Sequence, residues 1–224
     1  MAYGDGDILR VLDAGSLTVL HEETSRSPQF GWLDNDRLLY GFNGSVTAPP
    51  YPAPGAWILD FQGVKQAAGA IPRTSFPGMC APLTVAPDRR TFVLHRVEAV
   101  PDSWARTLHV YRTDGDFSKV PQPVYSLPGR EFPGHLTLSA SGKFLAFSAG
   151  VEDSRIVRVL EVASERMLFE SAFRFPVNGL AIDPGERRLG VVGDDSTVRV
   201  DDFSRGCSTL SASGVWVPGD PLIQ

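Results

Sequence analysis

A strand–turn–strand–turn–strand pattern in residues 177–203 constrains the fold of this chain more than any other feature. Residues 178–182, 189–192 and 197–200 form three short alternating or β-branched runs, which are typical of half-buried strands. The sequences DPGE at 183–186 and GDDS at 193–196 separate them, and Gly, Pro and Asp supply the dihedral angles of tight turns. The stretch therefore predicts an antiparallel meander of three strands.

The same pattern recurs along the whole chain at a spacing of about 45 residues, near the length of a propeller blade. Each unit has an apolar strand, a polar turn, a second apolar strand, a variable loop, and a third and usually a fourth strand, which we name a to d. We expect units at 28–76, 77–131, 132–175 and 176–214, and a fifth built from 215–224 with 1–27. This predicts an all-β chain folded as one β-propeller domain, 1–224, with five four-stranded blades. An antiparallel sandwich is the alternative, but sandwiches do not repeat the a–b turn at this spacing.

The two chain ends carry complementary halves of one unit. Residues 215–217 predict a strand a, 218–220 a turn and 222–224 the start of a strand b, whereas the N-terminal stretch begins late in a unit. We expect these N- and C-terminal strands to close the ring in one shared blade, which would cover the edge strands. The same half units could instead pair between two chains.

Several strand and loop positions follow from this scheme. We predict strands c and d of the first unit at 8–12 and 16–20, and a weak strand d of the second unit at 65–71. Two b–c connections, 43–55 and 97–106, are predicted to be long loops. The other b–c connections are short, so these two loops distinguish one face of the molecule.

The turns of residues 183–202 resemble those of WD-repeat proteins. The sequences DPG at 183–185, GDDS at 193–196 and VRVDD at 198–202 occupy the places of that family's two turns and terminal strand, with Asp201 where a Trp would stand. The sequences APDR at 86–89 and SASG at 139–142 resemble the first turn, and Pro133-Gly134-His135 resembles the family's Gly-His pair. The chain is thus similar to a WD-repeat-like or TolB-like propeller, over its whole length as a pattern and over about two blades as motif. The sequence contains no Trp-Asp dipeptide, so the family's buried His–Ser–Asp–Trp network cannot be placed. The resemblance implies an interaction platform.

Charge and composition favour a protein partner. The formal net charge is −5 and the pI about 5.4, which argues against nucleic acid or an anionic membrane as partner. The two cysteines do not make a disulfide scaffold, and the N-terminal sequence lacks the features of a secretory signal. We therefore expect a cytoplasmic protein whose oligomeric state is open, with the monomer favoured.

The predicted binding site lies on the face with the two long loops. Tyr51 stands among four prolines in the first loop, and Trp104 stands in the second. Prolines reduce the entropy lost when a loop orders on a partner, and Tyr, Trp and Arg are common interface anchors. We predict a non-enzymatic scaffold that binds a protein or peptide there. The alternative is that the two aromatic rings only hold their loops onto the blades. The predicted binding residues are Tyr51, Trp57, Arg96, Trp104, Arg106, Asp153 and Asp194.

Two further interpretations concern ions and catalysis. The acids Asp5, Asp7, Glu152, Asp153, Asp194 and Asp195 fall in short b–c turns and could meet around a cation, although Asp is also a common turn former. An alternative function is a small-molecule-binding propeller, or a lyase or hydrolase, with a site at the channel mouth built from His95, His109, Arg96 and the acidic turns. The predicted strands a contain no acid and one histidine, which argues against a channel-centred hydrolase. We predict no catalytic residue, no metal ligand and no cofactor.

Overall fold

The computed structural model describes residues 1–5, 8–24, 29–42, 55–62, 73–76, 79–100 and 103–204. This described part of the chain forms eighteen β-strands in five antiparallel sheets and contains no helix. In every sheet the strands lie side by side in chain order, which is the arrangement of a meander. No helix that could cross a membrane is found among the described residues.

The contacts group the described residues into two units. The first unit comprises Met1–Val85 and Arg89–Ser126. Sheet 1 contains β1 (Ala2–Asp5), β2 (Ile8–Leu12) and β3 (Val19–Thr24). Sheet 2 contains β4 (Gln29–Trp32), β5 (Arg37–Phe42), β6 (Gly55–Asp60) and β7 (Arg73–Phe76). Sheet 3 contains β8 (Met79–Val85), β9 (Thr91–Val100), β10 (Ser103–Arg112) and β11 (Pro123–Ser126).

The second unit comprises Ala86–Asp88 and the described residues that follow Ser126. Sheet 4 contains β12 (Phe132–Leu138), β13 (Phe144–Gly150), β14 (Ile156–Glu161) and β15 (Arg166–Ala172). Sheet 5 contains β16 (Val177–Ile182), β17 (Arg188–Gly193) and β18 (Val198–Asp202). The division of the chain into five blades and the closure of the ring stay predictions, because residues 205–224 lie outside the described residues.

The turn that joins the first two strands of a sheet has a repeated chemistry. In sheet 5, Oδ1 of Asp183 accepts the backbone N–H groups of Arg187 at 2.8 Å and Arg188 at 2.6 Å. In sheet 2, Oδ1 of Asp34 accepts the backbone N–H groups of Asp36 at 2.9 Å and Arg37 at 2.7 Å. An aspartate at the start of the turn thus satisfies backbone donors that the strands leave unpaired, which explains why these sequences end strands at these positions.

Each unit has its hydrophobic core between neighbouring sheets. In the first unit, Leu9 and Tyr40 belong to a cluster between sheets 1 and 2, and Leu39 and Phe92 belong to a cluster between sheets 2 and 3. In the second unit, sheets 4 and 5 pack together through Val157, Val159, Phe173, Leu189, Val191 and Phe203. Alternating apolar residues therefore face the next sheet, as the strand pattern requires.

The structure corrects two predicted segments. Residues 97–106 are not a loop, because β9 and β10 stay paired up to Val100 and Ser103. Strand d of the first unit is Val19–Thr24 rather than 16–20, since Asp13 accepts hydrogen bonds from Gly15 and Ser16 and holds those residues in a turn. The fourth strand of sheet 2 is Arg73–Phe76, and the predicted strand 65–71 lies outside the described residues. The strand β1 was not predicted.

Candidate functional site

The hairpin β9–β10 extends beyond the strands on either side of it. The last residue of β9 that pairs with β8 is Arg96, and the last residue of β10 that pairs with β11 is Thr107. Past that level, four pairs of residues connect only β9 with β10 in the described part of the chain, and these are Val97–Arg106, Glu98–Ala105, Ala99–Trp104 and Val100–Ser103. Four pairs at a strand rise of about 3.3 Å make a projection of roughly 10 Å. We call this projection, residues 97–100 and 103–106, the hairpin extension.

Exposure increases sharply along this hairpin. At its base, Phe92 and Leu94 are fully buried and lie in the core between sheets 2 and 3. At its end, residues 98–100 are exposed, and the side chain of Trp104 is 52% exposed. Trp104 therefore adds little to the core, and about half of its surface is accessible to solvent at the end of the hairpin.

The two faces of the hairpin carry different polar groups. Neighbouring residues of a strand point to opposite faces, and directly paired residues share one. His95, Arg106 and Trp104 therefore lie on one face of sheet 3. Arg96 and His109 lie on the other face, which packs against sheet 2. The register thus places His95 and His109 on opposite faces of the sheet, which does not favour the alternative in which they act together at one site.

The buried polar groups of the hairpin hold its base in place. His95 is 3% exposed, and its Nδ1 lies 3.4 Å from the carbonyl oxygen of Ala81 on β8. Burial lowers the pKa of His95 to about 4, although the contact with Ala81 opposes this, and the positive charges of Arg106 and His109 lower it further. His95 is therefore a neutral imidazole at pH 7.

The histidine on the other face has a similar structural role. The Nδ1 of His109 lies 2.9 Å from the carbonyl oxygen of Pro121, and its Nε2 lies 2.8 Å from the hydroxyl of Thr107. Burial lowers the pKa of His109, and the positive charge of Arg96 lowers it further, although the contact with Pro121 opposes the shift. Both ring nitrogens thus have partners on β10 or in the connection between β10 and β11. These two contacts fix the orientation of the ring and leave no free ring nitrogen as a base for catalysis.

Both predicted arginines make contacts within the hairpin. Arg106 is only 7% exposed, and its Nη1 donates to the carbonyl oxygen of Trp104 at 3.4 Å. Arg96 forms an ion pair with Glu98 at 3.4 Å along the same face of β9. Arg106 thus contacts the backbone of Trp104 but is not an exposed contact residue, because the sheet buries it.

Two further predicted aromatic residues come from the first long loop and from the strand that follows it. Tyr51 lies outside the described residues. Trp57 lies on β6, where its ring stacks on Tyr40 at a centroid distance of 5.3 Å and packs against the core between sheets 1 and 2. For Trp57, the contacts favour a role in packing over a role in partner binding.

Two of the six predicted acidic residues have local partners. Asp153 forms an ion pair with Arg155 at 2.7 Å, and Oδ1 of Asp195 accepts the hydroxyl of Thr197 at 2.6 Å. Asp194 is exposed in the turn between β17 and β18, and Asp5 lies in β1. No group of three or more metal-binding side chains occurs among the described residues.

Sequence reasoning missed a cavity in the first unit. A space of about 450 Å³ lies at the ends of sheets 1 and 2 that carry the turns after β2 and β4, and Trp32, Asp34 and Asp36 are among its lining residues. From the sequence, residues 34–36 were predicted only as a turn. The acidic residues of this turn follow an aromatic residue, which could have indicated a polar rim beside an apolar surface. The other walls of the cavity come from distant parts of the chain, so no local pattern predicts them.

Comparisons with known proteins agree with the architecture. No protein-family model and no curated protein match the chain. The β-propeller domain of Cps50 (Swd1) from Myceliophteria thermophila is similar in structure, with a TM-score of 0.55 and 15% identity over 96% of this chain and 63% of that one. Hsv2 from Kluyvelomyces marxianus is also similar, with a TM-score of 0.54 and 13% identity over 88% of this chain and 54% of that one. This chain thus spans less than two thirds of either structure. The predicted fold is confirmed: the chain has a β-propeller fold similar to that of these two structures.

Proposed function

We propose that this protein is an interaction scaffold that binds another protein or a peptide through the hairpin extension of sheet 3. The observation that carries the proposal is the position of Trp104, which is 52% exposed at the end of a hairpin whose base is buried. The propeller fold supports a scaffold in general terms, because such folds present loops and hairpins on a rigid body. The net charge of −5 supports a protein rather than a nucleic acid as partner.

The hairpin extension has the properties of a binding element. Its base is fixed by fully buried residues such as Phe92 and Leu108, so the end is presented with little loss of entropy on binding. Trp104 offers a large amphipathic ring on one face, and Val100, which is exposed, adds apolar area on the other. A buried tryptophan at the centre of an interface contributes about 2 kcal/mol or more when it is truncated to alanine.

The experiment compares capture of a partner by the wild type with capture by Trp104→Ala. Phe132→Ala is the matched control, because Phe132 is an aromatic residue of similar exposure, 48%, on β12 of the other unit. We expect a stoichiometric protein to be retained by the wild type and by Phe132→Ala and to be lost with Trp104→Ala. Equal retention by both variants would show that the hairpin extension is not the binding site.

The enzymatic alternative receives no support from the geometry of sheet 3. His95 and His109 lie on opposite faces, and Arg96 is paired with Glu98, so the three groups do not surround one reacting centre. A cytoplasmic location and a monomeric state belong to the same proposal as the scaffold. Light scattering of the purified chain tests the monomer directly, since a dimer would double the measured mass.

A further inference from the structure

The cavity of about 450 Å³ in the first unit is built from four separate turns. Asp13 and Ala14 follow β2, residues 34–36 follow β4, Phe61 follows β6, and Arg89 follows β8. The hairpin extension lies at the other end of β9, which is ten residues long, or roughly 30 Å at about 3.3 Å per residue. The cavity is therefore separate from the proposed protein-binding hairpin.

The floor of the cavity is apolar and partly aromatic. Val11 and Phe61 are 1% and 7% exposed, and Leu20 and Trp32 lie beside them as half-buried residues. The rings of Trp32 and Phe61 have centroids 6.0 Å apart and are tilted by 51°. Two tilted aromatic rings present both π-faces and edges, and the π-face of tryptophan attracts cations.

The rim of the cavity carries three carboxylates. Oδ1 of Asp13 accepts the backbone N–H of Ser16 at 2.7 Å, and Asp34 accepts the side chain of Arg37 at 2.6 Å. The hydrogen bonds with Ser16 lower the pKa of Asp13. For Asp34, burial would raise the pKa, but the hydrogen bonds from Asp36 and Arg37 outweigh it and lower the pKa. Both groups are therefore ionised at neutral pH.

The third carboxylate is available for a ligand. The backbone of Asp36 donates to Asp34 and accepts from Phe61, but its side chain makes no hydrogen bond or ion pair with the described residues. The positive groups in the lining are the guanidinium of Arg89 and the amino group of Met1, which donates to the carbonyl oxygen of Leu12 at 2.6 Å. Carboxylates thus outnumber cations in the lining by three to two, and Asp36 is the one of the three carboxylates whose side chain makes no hydrogen bond or ion pair with the described residues.

We propose that this cavity binds an organic cation with an apolar stem, such as the side chain of a peptide lysine or a free polyamine. The methylene stem would lie against Trp32 and Phe61, and the ammonium group would reach Asp36 at the rim. Pockets with an apolar lining and a few convergent polar groups bind ligands of this kind. Long aliphatic ammonium groups gain from both parts, because the stem leaves water while the charge stays paired.

The test is a titration of the whole chain, followed by the indole N–H resonances in NMR spectra. Two probes are used in parallel, spermidine and a short lysine peptide with blocked ends. Trp32→Phe assigns the resonance of Trp32. We expect a saturable shift of the Trp32 resonance with at least one probe and no shift of the Trp104 resonance. The probe that binds more tightly identifies the source of the cation.

Matched variants separate a specific site from general charge attraction. Asp36→Asn removes the charge and keeps the shape, and Glu152→Gln removes the charge of an exposed turn carboxylate in the other unit. We expect Asp36→Asn to weaken binding by about fivefold, the effect of one ion pair at about 4 Å in water, and Glu152→Gln to leave it unchanged. An unchanged spectrum of Asp36→Asn without ligand confirms its fold. If neither probe shifts the Trp32 resonance, or if both variants weaken binding equally, the proposal is wrong.

Discussion

Replacing His95 by glutamine is expected to reduce the loss of stability that the protein suffers in mild acid. His95 is buried at the base of the β9–β10 hairpin, and burial lowers its pKa from 6.5 to about 4. In the unfolded chain the imidazole takes up a proton near pH 6.5, whereas in the native state it does so only near pH 4. The contribution of His95 is therefore fully present above pH 6.5, and it is lost as the pH falls towards 4.

The magnitude follows from the two pKa values. The difference between 6.5 and about 4 corresponds to about 3 kcal/mol of unfolding free energy, of which about 2 kcal/mol is lost between pH 7 and pH 5. Carboxylates whose pKa is lowered, such as Asp13 and Asp183, do not contribute to the change between pH 7 and pH 5, because they titrate below this range. The lowered pKa of His109 and that of His135 add to the acid dependence of the wild type and of the variant alike.

Urea unfolding of the wild type and of His95→Gln at pH 7 and pH 5 measures the effect. The wild type should lose about 2 kcal/mol more than the variant between the two pH values. His21→Gln is the control, because His21 is partly exposed beside Glu23 on β3 and the contribution of His95 is intact in that variant. If the wild type and His95→Gln lose the same free energy, His95 is not buried in its neutral form and the account of the hairpin base fails.

Three further predictions concern the core, a turn contact and the chain end. Leu94→Ala should cost about 3 kcal/mol in urea unfolding, because Leu94 is fully buried between sheets 2 and 3, and a cost below about 1 kcal/mol would contradict that packing. Glu186→Ala should lower the free energy of unfolding by about 1 kcal/mol more than Glu165→Ala, because Glu186 accepts the backbone N–H of Ser141 at 2.8 Å. Glu165 is the control because both residues have a positive φ, and equal losses would exclude a role for this hydrogen bond. Removing residues 215–224 should lower the melting temperature if they complete the sheet of β1–β3, and an unchanged melting temperature would refute the shared blade.

Much of the fold could be predicted from the sequence because the information is local. The residues Asp183, Pro184 and Gly185 lie in the turn between β16 and β17, and the structure forms that turn as expected. Its hydrogen bonds are local, because Asp183 accepts the backbone N–H groups of Arg187 and Arg188. The strands Ile8–Leu12, Arg37–Phe42 and Ile156–Glu161 lie where the alternation of apolar and polar residues predicted them. The repetition of such units then predicted the propeller, which the similar structures confirm.

The candidate sites were predicted less well. The sequence identified Trp104 as a candidate, but the segment around it, which contains Pro101 and Asp102, was interpreted as a long loop. The register of β9 and β10 leaves only these two residues between the strands, so the segment is a hairpin extension instead. How far two strands stay paired beyond their neighbours depends on the residues opposite them in the sheet, and a local sequence pattern does not identify those residues.

The sequence by itself determined the strands, the turns and their repetition, because backbone dihedral preferences and side-chain-to-backbone hydrogen bonds act within a few residues. Only the tertiary structure decided which side chains meet. It placed His95 and His109 on opposite faces of one sheet, and it brought Trp32, Phe61 and Asp36 together around one cavity. These groups come from different strands or turns, and their environment depends on the register and packing of whole sheets, which is why burial, pKa and binding capacity could not be derived from the sequence alone.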